Sequence, residues 1–353
     1  MQRTGFARRI TRILALVGGG ILLGWSTSPW WTTSNSEFEA PETISSQARN
    51  ILAGYSRTRR DSFTLPAGTD LLAWRRMRQK YPDRIDEASQ AALDRFSPKL
   101  DRNRLGKIPA LWIRPRGKLL ENKLLIYLHG GAYTLYGPES TLCISVPIAC
   151  ASKILTVSLG YTPAPDAHWR QISDEILSAI RALLDRGYRA SDLAILGESA
   201  GGSLASAIAL RMRDEQIGLP AAVVLWSPWS DVTETGDSYH TLKGEEVMFD
   251  YKNFLAPAAR AYASPKDFRN PWVSPVHGDY SKGYCPTLIQ GGTRELFLSN
   301  MVRQYQAIDQ AGGSVKLDLY EGMWHVFQLQ LDMPEAVVAR KKTTDFLRAH
   351  LRD

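Results

Sequence analysis

Residues 193–198 of this chain have the sequence Leu-Ala-Ile-Leu-Gly-Glu, and residues 199–210 continue as Ser-Ala-Gly-Gly-Ser-Leu-Ala-Ser-Ala-Ile-Ala-Leu. The first part begins with an apolar run that predicts a buried strand, and the last part predicts a helix. Between them lies the pattern Gly-x-Ser-x-Gly, centred on Ser199. A strand, a sharp turn and a helix in this order form the context in which such a serine is exposed at the end of a sheet.

Ser199 is therefore a candidate nucleophile. Glycine on either side of the serine, at Gly197 and Gly201, lets the neighbouring chain approach without a Cβ clash. Because the serine would begin the helix, the N–H of Ala200 has no partner within the helix and can donate to a developing oxyanion. A buried serine at a glycine-rich helix start would have the same five residues, so the function depends on what other groups the chain supplies.

Apolar runs and helix-like stretches alternate from residue 108 onward. The runs that predict strands are 124–128, 153–159, 193–196, 221–226, 286–290 and 315–320. Apolar residues at helical spacing predict helices over 170–186 and 299–311, and each helix is followed by glycine. This order predicts an α/β fold with a doubly wound, mostly parallel sheet. In such sheets, functional groups gather at the carboxyl ends of the strands.

The chain before this region divides into two parts. Residues 1–31 contain a basic stretch and then a short apolar core, as in an export signal. Tryptophans after the core would also suit an uncleaved membrane anchor. Both readings predict an exported protein, either anchored by this segment or periplasmic or secreted after cleavage. Residues 32–105 then predict a linker and an N-terminal helical cap, and residues 46–105 contain no strand signal.

The remaining residues, 106–353, are predicted to form the catalytic domain. Within it, residues 230–275 interrupt the alternation of strands and helices and have no clear strand pattern. We expect this stretch to be a second cap segment inserted into the domain. The sequence leaves the oligomeric state open.

Composition excludes several classes of function. The net charge of +7 includes four arginines in the first twelve residues, and the rest has 39 basic against 36 acidic residues. A nearly balanced surface argues against nucleic acid as a partner. The three cysteines do not form a disulfide framework. Cysteine and histidine spacings indicate no metal site, and we expect no cofactor.

A serine nucleophile needs a base and a group that orients the base. His325 follows the last predicted strand, which would bring it to the same edge of the sheet as Ser199. Glu295 is the carboxylate that follows the strand 286–290 before the next helix. The order serine, acid, histidine is that of one particular fold.

The strand 124–128 is followed by His129-Gly130-Gly131-Ala132-Tyr133. Two adjacent glycines at a strand end present backbone N–H groups, so Gly130 and Gly131 are predicted to form an oxyanion hole together with Ala200. We expect His129 to be structural and to hold this loop by hydrogen bonds.

These motifs resemble the hormone-sensitive-lipase-like family of α/β-hydrolase esterases. The resemblance covers about residues 105–350, and its further motifs include Ser-Pro-Trp-Ser-Asp at 227–231 and Glu-Gly-Met-Trp-His at 321–325. It implies an α/β-hydrolase fold with a cap made from the N-terminal helices and an internal insert. It also implies a carboxylesterase in which Gly130, Gly131 and Ala200 form the oxyanion hole. The family usually has aspartate where this chain has Glu295.

The sequence thus predicts a serine carboxylesterase that hydrolyses short- to medium-chain esters, including acetyl esters, through Ser199, His325 and Glu295 and an acyl-enzyme. Tyr133 and Trp226 are candidates for the substrate pocket. Other acyl hydrolases on the same fold (a lactonase, an amidase or a thioesterase) stay open. So does a ligand-binding protein without turnover, although an intact serine and histidine disfavour it.

Overall fold

A computed structural model describes residues 38–352 of the chain. The predicted signal or anchor at residues 1–31 lies outside this range. Within the range, no helix is both long enough and apolar enough to cross a membrane.

In the described part of the chain, eight strands form one sheet. They are Lys99–Leu105 (β1), Ile108–Arg114 (β2), Leu124–Leu128 (β3), Leu155–Leu159 (β4), Leu193–Glu198 (β5), Ala222–Trp226 (β6), Thr287–Gly292 (β7) and Val315–Tyr320 (β8). Their order across the sheet is β1-β2-β4-β3-β5-β6-β7-β8. β1 and β2 pair antiparallel, and so do β2 and β4, whereas the strands from β4 to β8 run parallel. The predicted α/β fold is confirmed, and six predicted strands correspond to β3–β8.

The same residues form eleven α-helices. They are Ser46–Ala53 (α1), Arg57–Ser62 (α2), Leu71–Lys80 (α3), Glu87–Phe96 (α4), Leu142–Ser152 (α5), Trp169–Leu184 (α6), Ala200–Asp214 (α7), Ser238–Thr241 (α8), Ala256–Tyr262 (α9), Leu298–Gln310 (α10) and Pro334–His350 (α11). A π-helical turn, Tyr251–Leu255, precedes α9. Helices α5 and α11 contact each other and the sheet, and α6 and α7 form a second contacting pair. Strands β3, β5 and β6 are buried throughout, which explains their continuous apolar runs.

The prediction that residues 46–105 contain no strand is wrong at its C-terminal end. β1 pairs with β2 from Lys99 opposite Arg114 to Leu105 opposite Ile108, so the predicted boundary between residues 105 and 106 falls inside a hairpin. β1 is an edge strand, and only Leu105 in it is fully buried. A strand that faces water along most of its length needs no apolar alternation, and its sequence therefore carried no strand signal.

The N-terminal helices and the insert at 230–275 pack against each other. Arg60 of α2 donates to the carbonyl oxygens of Lys243 and Glu246, and the N–H of Leu65 donates to the carbonyl of Asn253. Helix α4 differs, because its Ala92 joins a buried cluster with residues of β2 and α5. The predicted cap region therefore has one part beside the insert and another that packs on the sheet layer.

Candidate active site

Ser199 lies on the sharp turn between β5 and α7. Its backbone has φ +56° and ψ −124°, a left-handed conformation that is strained for any residue but glycine. A Cβ at Gly197 would overlap the backbone of Gly201, and a Cβ at Gly201 would overlap the carbonyl of Leu128. The two glycines are thus required for the turn, as the motif predicted. The N–H of Ser199 donates to the carbonyl of Trp226 at 2.8 Å, which ties the turn to the end of β6.

His325 and Glu295 are in direct contact. His325 lies in the loop after β8, Glu295 lies in the loop after β7, and Nδ1 of the ring is 2.9 Å from Oε2 of the carboxylate. Both side chains are buried. The other oxygen of Glu295 accepts from the N–H of Gly292 at 2.6 Å and from the hydroxyl of Ser227 at 2.8 Å. Each carboxylate oxygen therefore has a defined partner, and the contact fixes the orientation of the imidazole.

Ser227 also belongs to this site, although the motif that contains it predicted no role for this residue. Its hydroxyl donates to Glu295 and accepts from the N–H of Val326 at 3.0 Å. Its own N–H donates to the carbonyl of Gln290 at 2.7 Å. One signal could have identified it, because Ser227 is the first residue after β6 and thus lies at the same edge of the sheet as the other site residues.

Two aromatic rings hold the imidazole of His325 from its sides. Phe249 of the insert lies edge to face with it at a centroid distance of 4.9 Å, and Phe297 does so at 5.1 Å. Both aromatic side chains are buried. Rings in this arrangement restrict rotation of the imidazole and exclude water from its surroundings.

The loop after β3 differs from its prediction at one residue. The N–H of Gly130 donates to Oε1 of Glu198 at 2.5 Å, so this N–H is already occupied by a protein acceptor. The prediction of Gly130 as an oxyanion donor is therefore corrected. Among the residues that the structure describes, the N–H groups of Gly131 and Ala200 have no protein acceptor, and they are the donors that remain for an oxyanion.

Glu198 holds the loop after β3 through its hydrogen bond with Gly130. It precedes Ser199 and is buried, and burial raises the pKa of its carboxyl to about 8 although the Gly130 N–H favours the ionised form. The prediction that His129 is structural agrees with its contacts. Its Nδ1 donates to the carbonyl of Gly130 at 2.8 Å, and its ring stacks on Tyr161 at 4.2 Å.

The two candidate pocket residues lie in different places. Tyr133 follows the glycine loop and stacks on Tyr262 of α9 at 3.7 Å and on Trp229 at 5.5 Å. Trp229 in turn stacks on Phe297 at 5.8 Å. These four rings form a row, here called the aromatic row, which leads from the glycine loop to the rings beside His325.

Trp226 is not part of this row. Its indole N–H donates to the hydroxyl of Thr343 in α11 at 3.0 Å, and the side chain is fully buried. It therefore packs between the sheet and α11, and its prediction as a substrate-binding residue is wrong. Side chains alternate between the faces of a strand, and a residue at a strand end can point into either layer.

Within residues 38–352, no group of three or more histidine, cysteine, aspartate or glutamate side chains is arranged to hold a metal ion. The cysteines Cys143, Cys150 and Cys285 are free thiols. Burial raises the pKa of the Cys143 thiol to about 12, which keeps it protonated and unreactive near neutral pH.

Comparison with known proteins identifies related chains. A family model described as alpha/beta hydrolase fold matches residues 125–329. An acetyl-hydrolase of Streptomyces hygroscopicus is 34% identical over 248 residues, which cover 70% of this chain and 82% of that protein. An esterase of Acinetobacter venetianus is 28% identical over 250 residues, covering 67% and 82%.

Solved structures give the same result. The crystal structure of an esterase superposes with a TM-score of 0.80 at 27% identity and covers 93% of this chain and 99% of that chain. An esterase from the bacterial hormone-sensitive lipase family superposes with a TM-score of 0.69 at 28% identity, covering 83% and 95%.

Proposed function

The chain belongs to the hormone-sensitive-lipase-like family of α/β-hydrolase esterases, and from this premise we propose that it hydrolyses short-chain carboxylic esters through Ser199, His325 and Glu295. The observation that carries the proposal is the 2.9 Å contact between Nδ1 of His325 and Oε2 of Glu295, at the sheet edge where Ser199 occupies its strained turn. It leaves Nε2 of the ring free to serve as the base.

The proposed reaction is acyl transfer to water. Ser199 attacks the ester carbonyl while His325 takes its proton, and Glu295 stabilises the imidazolium that forms. The N–H groups of Gly131 and Ala200 stabilise the tetrahedral oxyanion. His325 then protonates the leaving alkoxide, and water attacks the acyl-enzyme by the same steps in reverse.

For the acyl group we propose acetyl and other short chains. The aromatic row and Phe249 place several large, buried rings between the glycine loop and His325, which leaves little room for a long chain. Two relatives are themselves described as acetyl-hydrolases, one from Streptomyces hygroscopicus and one, described as putative, from Mycobacterium tuberculosis. Both observations support a small acyl pocket.

The test is hydrolysis of p-nitrophenyl esters with acyl chains of two to twelve carbons by the full-length protein. The expected result is turnover that is highest for the shortest chains and falls by several orders of magnitude in Ser199→Ala. Ser281→Ala is the matched control, because this serine is exposed and its hydroxyl donates to Asp279. Equal activity of Ser199→Ala and the wild type would refute the assignment of the nucleophile.

Lactones, amides and thioesters are cleaved by the same groups, so a panel of these substrates belongs in the same experiment. A folded protein that turns over none of them would favour a ligand-binding role instead. For location we propose export, which rests on residues 1–31 alone. Fractionation of cells that express the chain with and without these residues tests it, and recovery of both forms in the cytoplasm would contradict it.

A further inference from the structure

We propose that Glu246 is a positioning residue for His325. This buried carboxylate holds the loop that carries Glu295 and supplies a second negative charge beside the imidazole. The inference rests on the proposed function, since it concerns the same histidine, but the residue lies in the insert and no motif of the sequence pointed to it.

Glu246 is fully buried, and it accepts a hydrogen bond from the loop that carries Glu295, here called the acid loop. Its Oε2 accepts from the N–H of Leu296 at 3.2 Å, and Leu296 is the residue directly after Glu295. Its Oε1 accepts from the N–H of Met248 at 2.8 Å, on the segment that leads to Phe249. One carboxylate thus fixes both the loop that bears the acid and the segment that bears a ring against His325.

A third element holds Glu246 itself in place. Arg60 of α2 is buried, and its guanidinium donates to the carbonyl of Glu246 at 2.5 Å and to that of Lys243 at 3.0 Å. The neighbouring Glu245 forms an ion pair with Arg294, which precedes the acid. Segment 243–248 is therefore held between α2 and the acid loop, and this limits how far the carboxylate can move.

The charges around Glu246 couple it to the base. Burial raises the pKa of its carboxyl to about 7, His325 opposes this by favouring the ionised form, and Glu295 adds to the rise. The ionised Glu246 therefore adds a negative charge to the surroundings of His325 and Glu295. Other charged groups on the adjoining segments are Arg60, which donates to the carbonyl of Glu246 and pairs with Asp61, and the pair of Glu245 with Arg294.

The effect of Glu246 on catalysis is expected to depend on pH. Above about pH 7 Glu246 is ionised and supports the imidazolium that forms when Ser199 attacks. Below that value it becomes protonated, and the support is lost. If Glu246 only packed against the loop, its substitution would change activity equally at every pH.

The experiment compares charge-free and charge-keeping variants by the pH dependence of kcat and kcat/KM on p-nitrophenyl acetate. Glu246→Gln and Glu246→Met remove the charge, and Glu246→Asp keeps it. In the charge-free variants, kcat at pH 8 should fall about tenfold with little change in KM, whereas at pH 6, where Glu246 is itself protonated, kcat should be close to that of the wild type. Glu246→Asp should show the same dependence of kcat on pH as the wild type. Glu234→Gln is the control, because it removes the same charge from an exposed side chain of the same insert.

The outcomes separate this inference from the proposed function. A wild type without Ser199-dependent turnover would refute both the proposed function and the positioning role of Glu246. If the wild type is active and both charge-free variants match its kcat at pH 8, the positioning role alone is overturned. A uniform loss of activity at all pH values with a lower unfolding temperature, or failure of both charge-free variants to fold beside a folded Glu246→Asp, would also overturn it.

Discussion

The hydroxyl of Ser227 donates to Oε1 of Glu295 at 2.8 Å, and it accepts the N–H of Val326 at 3.0 Å. A single hydroxyl therefore connects the acid to the residue that follows His325. All of these groups are buried, so water cannot replace the hydrogen bonds. A hydrogen bond to a charged group contributes about 1.5–3 kcal/mol, which is enough to decide the orientation of a carboxylate.

Ser227→Ala should lower kcat by about tenfold to a hundredfold and leave KM nearly unchanged, because the acid loses one of two donors that hold it. Steady-state kinetics with p-nitrophenyl acetate measures both constants. Ser230→Ala is the control, since this buried serine contacts Gln304 of α10 and neither the acid nor the base. Equal losses in the two variants would show that any buried serine here has the same effect.

Glu295→Gln should lower kcat about a thousandfold, because the amide keeps the shape of the side chain and loses the charge that stabilises the imidazolium. Glu295→Asp should retain more activity than Glu295→Gln, since it keeps the charge one methylene further away. Rates of both variants at pH 8, with circular dichroism to verify folding, test this order. A fully active Glu295→Gln would mean that another carboxylate orients His325, and Glu246 would then be the first to substitute.

The positions of Ser199, His325 and Glu295 could be predicted because they depend on a simple rule. Each follows a strand of a parallel sheet, and parallel strands bring their carboxyl ends to one edge. This topology brings Glu295 and His325 to the same edge, and the loops after β7 and β8 bring them into contact. β3–β8 were predictable for a related reason, because strands buried on both faces need continuous apolar runs.

The parts that could not be predicted depend on how loops pack. The hydrogen bond from Gly130 to Glu198 joins residues 68 positions apart, and that from Leu296 to Glu246 joins residues 50 positions apart. In each pair at least one residue lies in a loop without periodic pattern. The sequence contained no information on which side of β6 the Trp226 indole would lie. Such details emerge only when the insert and the sheet are packed together.

Glu198→Gln should change how stability depends on pH. Burial raises the pKa of Glu198 to about 8 from its ordinary value of 4.5, so between these values the folded protein holds a proton that the unfolded chain has lost. This contribution to stability is complete below about pH 4.5 and is lost as the pH rises to about 8. The glutamine cannot titrate, but it still accepts from Gly130. The unfolding temperature of the variant should therefore rise relative to the wild type from pH 5 to pH 8.5.

Thermal unfolding across this range measures the difference, and Glu121→Gln serves as the control because Glu121 is exposed. The pKa of Glu246 is also raised, so its contribution to stability is lost as the pH rises from 4.5 to about 7. Glu246 is present in both proteins, so this contribution cancels when their unfolding temperatures are compared. A constant difference between Glu198→Gln and the wild type at every pH would show that Glu198 is ionised in the folded protein throughout.

Trp226→Phe should change stability, whereas Trp229→Phe should change the preference among acyl chains. Trp226→Phe loses the hydrogen bond to Thr343 and leaves a small cavity under the sheet, so the free energy of unfolding should fall by about 1–3 kcal/mol. Its preference among acyl chain lengths should stay as in the wild type. Trp229→Phe replaces a large ring of the aromatic row beside Tyr133 with a smaller one. The rate of hydrolysis of esters with longer acyl chains should therefore rise relative to that of the acetyl ester. Urea unfolding and the p-nitrophenyl ester series measure the two effects. A changed chain-length preference in Trp226→Phe, with unchanged stability, would return that residue to the substrate pocket.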